Sequence, residues 1–396
     1  MDNNQAERGT GISSLGYKDI LRIGPGTIGG TYLRRFWHPI FVGRDIAPGH
    51  VKPIRILGED LTLYRGASGT PHIVARRCPH RGVYLSLGFV EGEHIQCAYH
   101  GWRFTSEGRC VAQPAEPRPF CDRISIKAYP TREYLGLIFV YLGEGEPPPL
   151  PRLGDYEDEE LYDCQIAADT WPCSYFDLLE NASDMAHTAF LHWQFGYGIP
   201  SDVRWEENVC GMFGSWAGTG KNEVFNNSYF DMPTAVEFTP SRPGGVGFFT
   251  RGYRIPRDDD SAVRFNLVAI PRLKEKVDAA RATHTRSTTN GPSAVEVARG
   301  LIDGVEDMLT FKERTDTREN FFLTNVQDLS VLASLGPVAD RDFPENRGAT
   351  DLSIVMMRRL FVRELTALAE GRPLKEWKRP EYLWKDVAAV HRELMG

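Results

Sequence analysis

The sequence feature that most constrains the fold is a pair of short segments that each carry one cysteine and one histidine. Cys78 and His80 form the first segment, and Cys97 and His100 form the second after sixteen intervening residues. A metal centre built from both segments requires two loops that lie side by side, as at the tips of neighbouring hairpins. A structural zinc site uses the same ligand types, but zinc sites normally group like ligands as C-x2-C and H-x3-H. The mixed pairing therefore favours a centre with two unlike irons.

A Rieske [2Fe-2S] cluster has this ligand chemistry, because two cysteines bind one iron and two histidines bind the other. Gly82 and Gly101 follow the two segments, and they allow backbone N–H groups to approach the cluster sulfurs. We also predict cluster contacts from Arg81 and Trp102, which lie beside the ligands. A structural zinc site remains the alternative interpretation.

The residues around these segments predict an antiparallel β domain. Residues 36–145 contain short strand-like runs separated by turn residues. The proline-rich segment 146–151 and the acidic stretch Asp155–Glu160 predict an exposed connection between domains. The predicted division is an N-terminal segment packing on the catalytic domain at 1–35, a cluster domain at 36–150 and a catalytic domain at 151–396.

The C-terminal part mixes both kinds of secondary structure, so the predicted fold class is α+β. A helix is predicted at 171–192, strands at 203–271, and a polar excursion at 272–292. Further helices are predicted near 293–313, 324–335, 351–368 and 382–394.

A second group of possible ligands lies in the predicted helix 171–192. On an ideal helix His187 and His192 lie about 140° apart, so they can bind one ion only if the helix is distorted, which we expect near residues 188–191. Asp184 lies between them in angle and can orient an imidazole ring. A centre with two histidines and one carboxylate leaves positions open for O2 on Fe(II). One buried histidine alone is more often a core residue.

Both groups resemble motifs of the ring-hydroxylating Rieske oxygenases. The runs C-P-H-R-G from Cys78 and C-A-Y-H-G-W-R-F from Cys97 are similar to the cluster signature of that family. The pattern N-x2-D-x2-H-x4-H, which begins at Asn181, is similar to its iron-site motif. The resemblance implies a [2Fe-2S] cluster, a mononuclear Fe(II), catalytic roles for Asn181 and Asp184, and an antiparallel sheet flanked by helices in a helix-grip, START-like arrangement.

The resemblance also implies how subunits cooperate. Asp184 matches the residue that links the iron site to the cluster of a neighbouring subunit, which implies a homotrimer. The implied third ligand is Asp328, because segment 325–336 is similar to the Q-D helix of the phthalate dioxygenase branch and continues into its G-P-x-x-D-R motif. The other interpretation of Asp328 is an aspartate near a helix N-terminus that stabilises the helix dipole.

The source of electrons is expected to be another protein. The run G-x-G-x-x-G at 24–29 matches a dinucleotide fingerprint, but it lacks the β-α-β unit and the acidic ribose partner, so it is interpreted as a turn before a helix. The chain also lacks the C-x4-C-x2-C spacing of plant-type ferredoxins. The resemblance implies a separate reductase that carries flavin and a ferredoxin-type cluster.

Composition excludes some partners. A net charge of −7 argues against nucleic acid, and no apolar run is long enough to span a membrane. Because the seven cysteines are scattered and no export signal begins the sequence, a cytoplasmic protein with free thiols or metal ligands is expected.

The reaction class follows from the resemblance, whereas the substrate does not. The phthalate dioxygenase branch implies monohydroxylation, dihydroxylation or O-demethylation of an aromatic substrate with a carboxylate or ether group. Residues 203–250 match no recognised pattern, so the substrate-binding residues are not assigned. Arg251 and Arg254 can bind a carboxylate, but strand arginines more often face solvent or pair with acids such as Asp258–Asp260. The alternative function is a Rieske electron carrier without oxygenase activity.

Overall fold

The computed structural model describes residues 15–195, 198–218, 225–241, 248–272, 293–314, 320–342 and 344–395. The strands in chain order are β1 (Trp37–Val42), β2 (Val51–Ile56), β3 (Glu59–Arg65), β4 (Pro71–Ala75), β5 (Phe89–Glu91), β6 (His94–Gln96), β7 (Arg103–Phe104), β8 (Cys110–Ala112), β9 (Ala128–Tyr129), β10 (Thr131–Tyr134), β11 (Leu137–Tyr141), β12 (Tyr162–Trp171), β13 (Pro200–Glu207), β14 (Gly211–Gly218), β15 (Phe225–Asp231), β16 (Ala235–Ser241), β17 (Phe249–Asp258) and β18 (Ser261–Pro271). The α-helices are α1 (Tyr17–Leu21), α2 (Ile28–Leu33), α3 (Gly154–Glu157), α4 (Tyr175–Ser183), α5 (His187–Leu191), α6 (Ala294–Ile302), α7 (Met308–Arg314), α8 (Asn320–Ala333), α9 (Leu352–Ala369) and α10 (Lys385–Met395).

Three small antiparallel sheets form the region that carries the predicted cluster segments. Their strand orders are β1-β11-β10, β2-β3-β4-β9 and β5-β6-β7-β8. A separate apolar core lies under the segments and includes Tyr64, Leu85 and Phe104, together with the side chains of Cys78 and Cys97. The predicted antiparallel β architecture is therefore confirmed, and the cluster segments are the loops that follow β4 and that join β6 to β7.

The glycine-rich run 24–29 forms a turn and the start of a helix, as predicted. Gly26 has φ +82°, which glycine adopts without strain, and Thr27 caps α2 by accepting the N–H of Gly30 at 3.0 Å. Helix α2 packs against α9, where Tyr32 lies 6.0 Å from Phe361 between ring centroids.

The chain after β11 is exposed only in its first part. Residues 144–152 are largely exposed, as predicted for the proline-rich connection. The prediction was wrong for Asp155, which is 4% exposed and forms a 2.8 Å ion pair with Arg379. Sequence reasoning placed this aspartate in solvent because its partner lies far away in the chain.

A seven-stranded antiparallel sheet with the order β12-β18-β17-β16-β15-β14-β13 dominates the C-terminal part. Helix α4 packs on β16, β17 and β18, and α9 packs on β13 and β14. Aromatic rings join these layers, since Phe361 of α9 contacts Phe176 of α4 at 5.0 Å and Phe230 of β15 at 6.2 Å. Helices covering one face of an antiparallel sheet confirm the predicted α+β class.

The opposite face of this sheet holds a buried ion network. Arg251 pairs with Asp231 at 2.5 Å and with Glu237, and Arg379 pairs with Glu237 at 2.5 Å. All four side chains are at most 7% exposed, and the Arg379–Asp155 pair extends the network. The expectation that Arg251 faces solvent or pairs with Asp258–Asp260 was therefore wrong, because the acids of the neighbouring strands are its partners. The network joins the sheet to the C-terminal segment.

The C-terminal helices appear where the sequence predicts them. The helix predicted near 293–313 is divided into α6 and α7, and the other three correspond to α8, α9 and α10. The predicted polar excursion at 272–292 lies outside the described residues, apart from Arg272. Within the described ranges, no helix is both long and apolar enough to cross a membrane.

Candidate metal centres

The two predicted cluster loops have the same backbone geometry. In the first, the Cys78 N–H donates to Val83 O at 2.8 Å, and the Gly82 N–H donates to Cys78 O at 2.9 Å. In the loop Cys97–Trp102, the equivalent hydrogen bonds measure 2.8 and 3.1 Å. Gly82 and Gly101 have φ +74° and +72°, a conformation that other residues rarely adopt. The glycines thus permit two tight turns of matching shape.

These turns bring the four predicted cluster ligands together. The rings of His80 and His100 lie 4.5 Å apart between centroids, and the thiols of Cys78 and Cys97 are 2% exposed. Burial and the neighbouring Cys97 thiol raise the pKa of Cys78 to about 11. Metal binding overcomes such a cost because a coordinated thiol is deprotonated. The buried Nδ1 of His80 has no hydrogen-bond partner among the described residues, which fits a ligand atom.

Trp102 and Arg81 flank this group differently. The Trp102 ring stacks on His80 with centroids 4.6 Å apart and an interplanar angle of 3°. The backbone N–H of Arg81 approaches the Cys78 sulfur and lowers the pKa of that thiol, although burial has the larger effect and raises it. The Arg81 guanidinium turns outward and donates to Tyr99 Oη at 3.3 Å. Both residues border the space between the loops, but only Trp102 does so with a buried side chain.

The predicted helix at 171–192 is not continuous. Strand β12 extends to Trp171, α4 ends at Ser183, and α5 begins only at His187. The distortion expected near 188–191 is displaced, because these residues are helical up to Leu191 and His192 leaves the helix with φ −99° and ψ 53°. Asp184 accounts for the earlier break, since its Oδ1 accepts the Ala186 N–H at 2.8 Å in place of a helical bond.

The break allows His187, His192 and Asp328 to converge. Asp328 Oδ1 lies 3.3 Å from His192 Nε2 and 3.8 Å from His187 Nε2. One ligand-type atom from each residue lies within 4.8 Å of the others. Two imidazoles and one carboxylate suit Fe(II) with open positions, so the chemistry of the donors fits a mononuclear iron.

Two acidic groups flank the histidines. Asp184 Oδ2 lies 3.6 Å from His187 Nδ1, and the side chain of Asp184 is 23% exposed. Burial raises the pKa of Asp184, but the interactions with His187 outweigh it and the net direction is downward. Burial lowers the pKa of His192, and Asp328 reverses that direction. Asn181, the other predicted catalytic residue, is half-buried in the last turn of α4, one turn before Asp184.

Gln327 belongs to the Q-D segment, but no role for it was predicted from the sequence. It is 0% exposed, and its Oε1 lies 2.8 Å from His192 Nδ1. Its amide also exchanges 3.2 Å hydrogen bonds with the amide of Gln194. An amide oxygen on Nδ1 selects the tautomer that presents Nε2 towards Asp328. The position of Gln327 directly before Asp328 was the only sequence feature that pointed to this role.

Replacement of Gln327 by leucine is expected to weaken metal binding at His192 by about 10- to 100-fold, the usual cost of losing an outer partner. The matched control is Gln194→Leu. In this variant Gln327 keeps its hydrogen bond to the His192 ring, so metal affinity should fall less. Iron titration of protein whose cluster is already assembled, with cluster absorption as the reference, measures the difference. Wild-type affinity in the Gln327 variant would contradict this role.

Two arginines lie on the sheet face that α4 covers. Arg254 is 6% exposed, which contradicts the expectation that it faces solvent or pairs with Asp258–Asp260. Burial and the nearby Arg264 lower the pKa of Arg254 to about 9, with Asp169 and Asp328 acting in the opposite direction. Arg264 donates to Asp169 at 2.7 Å and to Asn325 Oδ1 of α8 at 3.0 Å. Long-range strand pairing, which sequence reasoning did not resolve, buries Arg254 and half-buries Arg264 near the predicted iron ligands.

Comparisons with known proteins agree with this geometry. A family model described as the Rieske [2Fe-2S] domain matches residues 36–130. The oxygenase subunit of 5,5'-dehydrodivanillate O-demethylase from a Sphingobium species is 28% identical, with 94% of this chain and 86% of the relative covered. The oxygenase subunit of phthalate 4,5-dioxygenase from Pseudomonas putida is 26% identical, with 86% and 83% covered. The solved structure of NdmA from Pseudomonas putida CBB5 has a TM-score of 0.62 at 19% identity, covers 92% of this chain and 95% of its own, and supports the fold alone.

Proposed function

Because this chain belongs to the Rieske-type iron oxygenases, we propose that it is a terminal oxygenase that hydroxylates or O-demethylates an aromatic substrate. The convergence of His187, His192 and Asp328 is the single observation that carries this proposal. An electron carrier needs the cluster loops but has no use for a second group of iron ligands. The aromatic substrate class follows the named relatives, which include an O-demethylase and a dioxygenase.

Each group of residues has a distinct proposed task. Cys78, His80, Cys97 and His100 hold a [2Fe-2S] cluster, and His187, His192 and Asp328 hold Fe(II). When bound, the cluster supplies single electrons and the Fe(II) supplies a position at which O2 is activated. Trp102 shields one face of His80, and Gln327 fixes the orientation of His192.

Asp184 is proposed to connect the two kinds of centre between subunits of a homotrimer. Its carboxylate lies beside His187 while its side chain stays partly exposed, which is compatible with a contact from a neighbouring subunit. The partner that supplies electrons is a separate reductase with flavin and a ferredoxin-type cluster. We also infer a cytoplasmic location, because none of the seven cysteines, all of which lie in the described ranges, forms a disulfide.

The proposal is tested by supplying electrons and candidate substrates together. We expect purified protein to contain about three iron atoms per chain. With a surrogate phthalate-type reductase and NADH, an accepted aromatic substrate should stimulate O2 uptake. Product mass separates the reactions, since dihydroxylation adds two oxygens, monohydroxylation adds one, and O-demethylation removes a methyl group. Only two irons per chain, with no substrate-dependent O2 uptake across the panel, would favour the electron carrier.

A further inference from the structure

Arg254 lies on the same sheet face as the predicted iron ligands. Strand register pairs Arg254 with Arg264, and Gly252 with Asn266, so these four residues point to one side of β17 and β18. Helix α8, which carries Asp328, lies over this side, because Asn325 accepts a hydrogen bond from Arg264. The guanidinium of Arg254 therefore lies in the interior between the sheet and the predicted iron site.

Only one of the three nitrogens in the Arg254 guanidinium is anchored. Nη1 donates to Asn266 Oδ1 at 3.1 Å and to Tyr253 O at 3.2 Å. No hydrogen bond joins Nε or Nη2 to any described residue, and Nε is buried. Nε–H and Nη2–H form the parallel pair that grips a carboxylate through two hydrogen bonds. The anchored nitrogen holds the guanidinium in place while that pair remains available.

The charges near Arg254 favour an anion. Arg264 is paired with Asp169, whereas Arg254 has no ion-pair partner among the described residues. Asp169 and Asp328 are the nearby carboxylates, but Asp169 is already paired with Arg264, and a ferrous ion held at Asp328 would more than cancel the charge of that carboxylate. A buried cation without a partner is costly, so a carboxylate that arrives with a ligand would offset the cost of burying Arg254.

We propose that Arg254 binds the carboxylate of an aromatic acid and thereby fixes the ring beside His187, His192 and Asp328. This assignment rests on the proposed oxygenase function and restricts its substrates to aromatic carboxylates. Gly252 makes the arrangement possible, because a Cβ at that position would lie 2.5 Å from Arg254 Nη1 and 2.9 Å from Nη2. The guanidinium occupies the space that any larger residue at 252 would take.

Calorimetric binding to the metal-loaded, oxidised protein tests the proposal without turnover. The probes are benzoate and 3-methoxybenzoate, with benzamide and 3-methoxybenzamide as neutral counterparts of the same shape. We expect Arg254→Gln to weaken binding of the acids by about 10- to 100-fold, since hydrogen bonds to charged groups are lost, and to leave amide binding unchanged. Arg257→Gln, on the same strand, is the control and should bind the acids like wild type.

A second variant covers a possible folding defect. Gly252→Ala keeps the charge but displaces the guanidinium, and the backbone of Gly252 is not in a conformation reserved for glycine. It should therefore melt close to wild type, keep the cluster absorption, and still lose affinity for the acids. The proposal is overturned if wild type binds neither acid better than its amide, or if both variants bind the acids with wild-type affinity. Iron content and O2 uptake report separately on the oxygenase function.

Discussion

Asp328→Ala is expected to abolish turnover while the cluster keeps its visible absorption. Asp328 is the only carboxylate in the described group with His187 and His192, and its Oδ1 lies 3.3 Å from His192 Nε2. Loss of a ligand should exceed the roughly 10- to 100-fold cost of losing an outer partner, so we expect activity to fall by more than about 1,000-fold. Metal analysis should show the cluster irons and little else.

The control for this variant is Asp340→Ala, which removes an exposed carboxylate shortly after α8. It should keep its iron and its activity. An Asp328 variant that retains full activity would remove Asp328 from the proposed site. If the variant loses cluster absorption as well, the loss of activity reports on the fold, and Asp328→Asn then provides the comparison with a residue of equal size.

Asp184→Asn is expected to slow electron delivery without removing either metal centre. The carboxylate lies 3.6 Å from His187 Nδ1, and its negative charge stabilises the protonated Nδ1 and makes Nε2 a better ligand. The amide has nearly the same size but no charge. We expect a decrease of about 100-fold in the rate at which the reduced cluster is oxidised after mixing with substrate and O2. Stopped-flow absorbance of the cluster follows this step directly.

A matched change at the exposed Asp303, Asp303→Asn, should leave the rate of cluster oxidation unchanged. The two predictions are separable, because Asp184→Asn should retain its mononuclear iron and Asp328→Ala should not. A normal oxidation rate in the Asp184 variant would show that electrons reach the iron site without this carboxylate.

The features that could be predicted from sequence are those encoded by neighbouring residues. The spacing of Cys78, His80, Cys97 and His100 specifies two tight loops and their chemistry, and the Rieske domain is confirmed over residues 36–130. Strands β13 to β18 lie in or just before the span 203–271, where apolar and polar residues alternate, whereas β12 was not predicted as a strand. The grouping of His187 with His192 could also be predicted, since they lie five positions apart. The geometry of this pair could not be predicted, because the Asp184 side chain ends α4 through a hydrogen bond that helical periodicity does not reveal.

The features that were missed depend on contacts between distant segments. Arg251 and Arg254 are three residues apart on one strand and look alike in sequence, yet they lie on opposite faces with different surroundings. The role of Gln327 depends on its contact with His192, and the burial of Asp155 depends on its ion pair with Arg379. Burial of a polar side chain is determined by its partner, so a single sequence does not reveal it until the fold brings the two together.

The ion network on the back of the large sheet bears on how the chain matures during synthesis. Asp231 and Glu237 emerge from the ribosome long before Arg379, which neutralises Glu237 from the C-terminal segment. Until then Arg251 is the only cation of this network, among the described residues, for three carboxylates that the finished fold buries almost completely, those of Asp155, Asp231 and Glu237. Closing the sheet early would trap excess negative charge away from water, which is strongly unfavourable. The large sheet of residues 162–271 is therefore expected to close over these carboxylates only after Arg379 has been synthesised and can pair with Glu237.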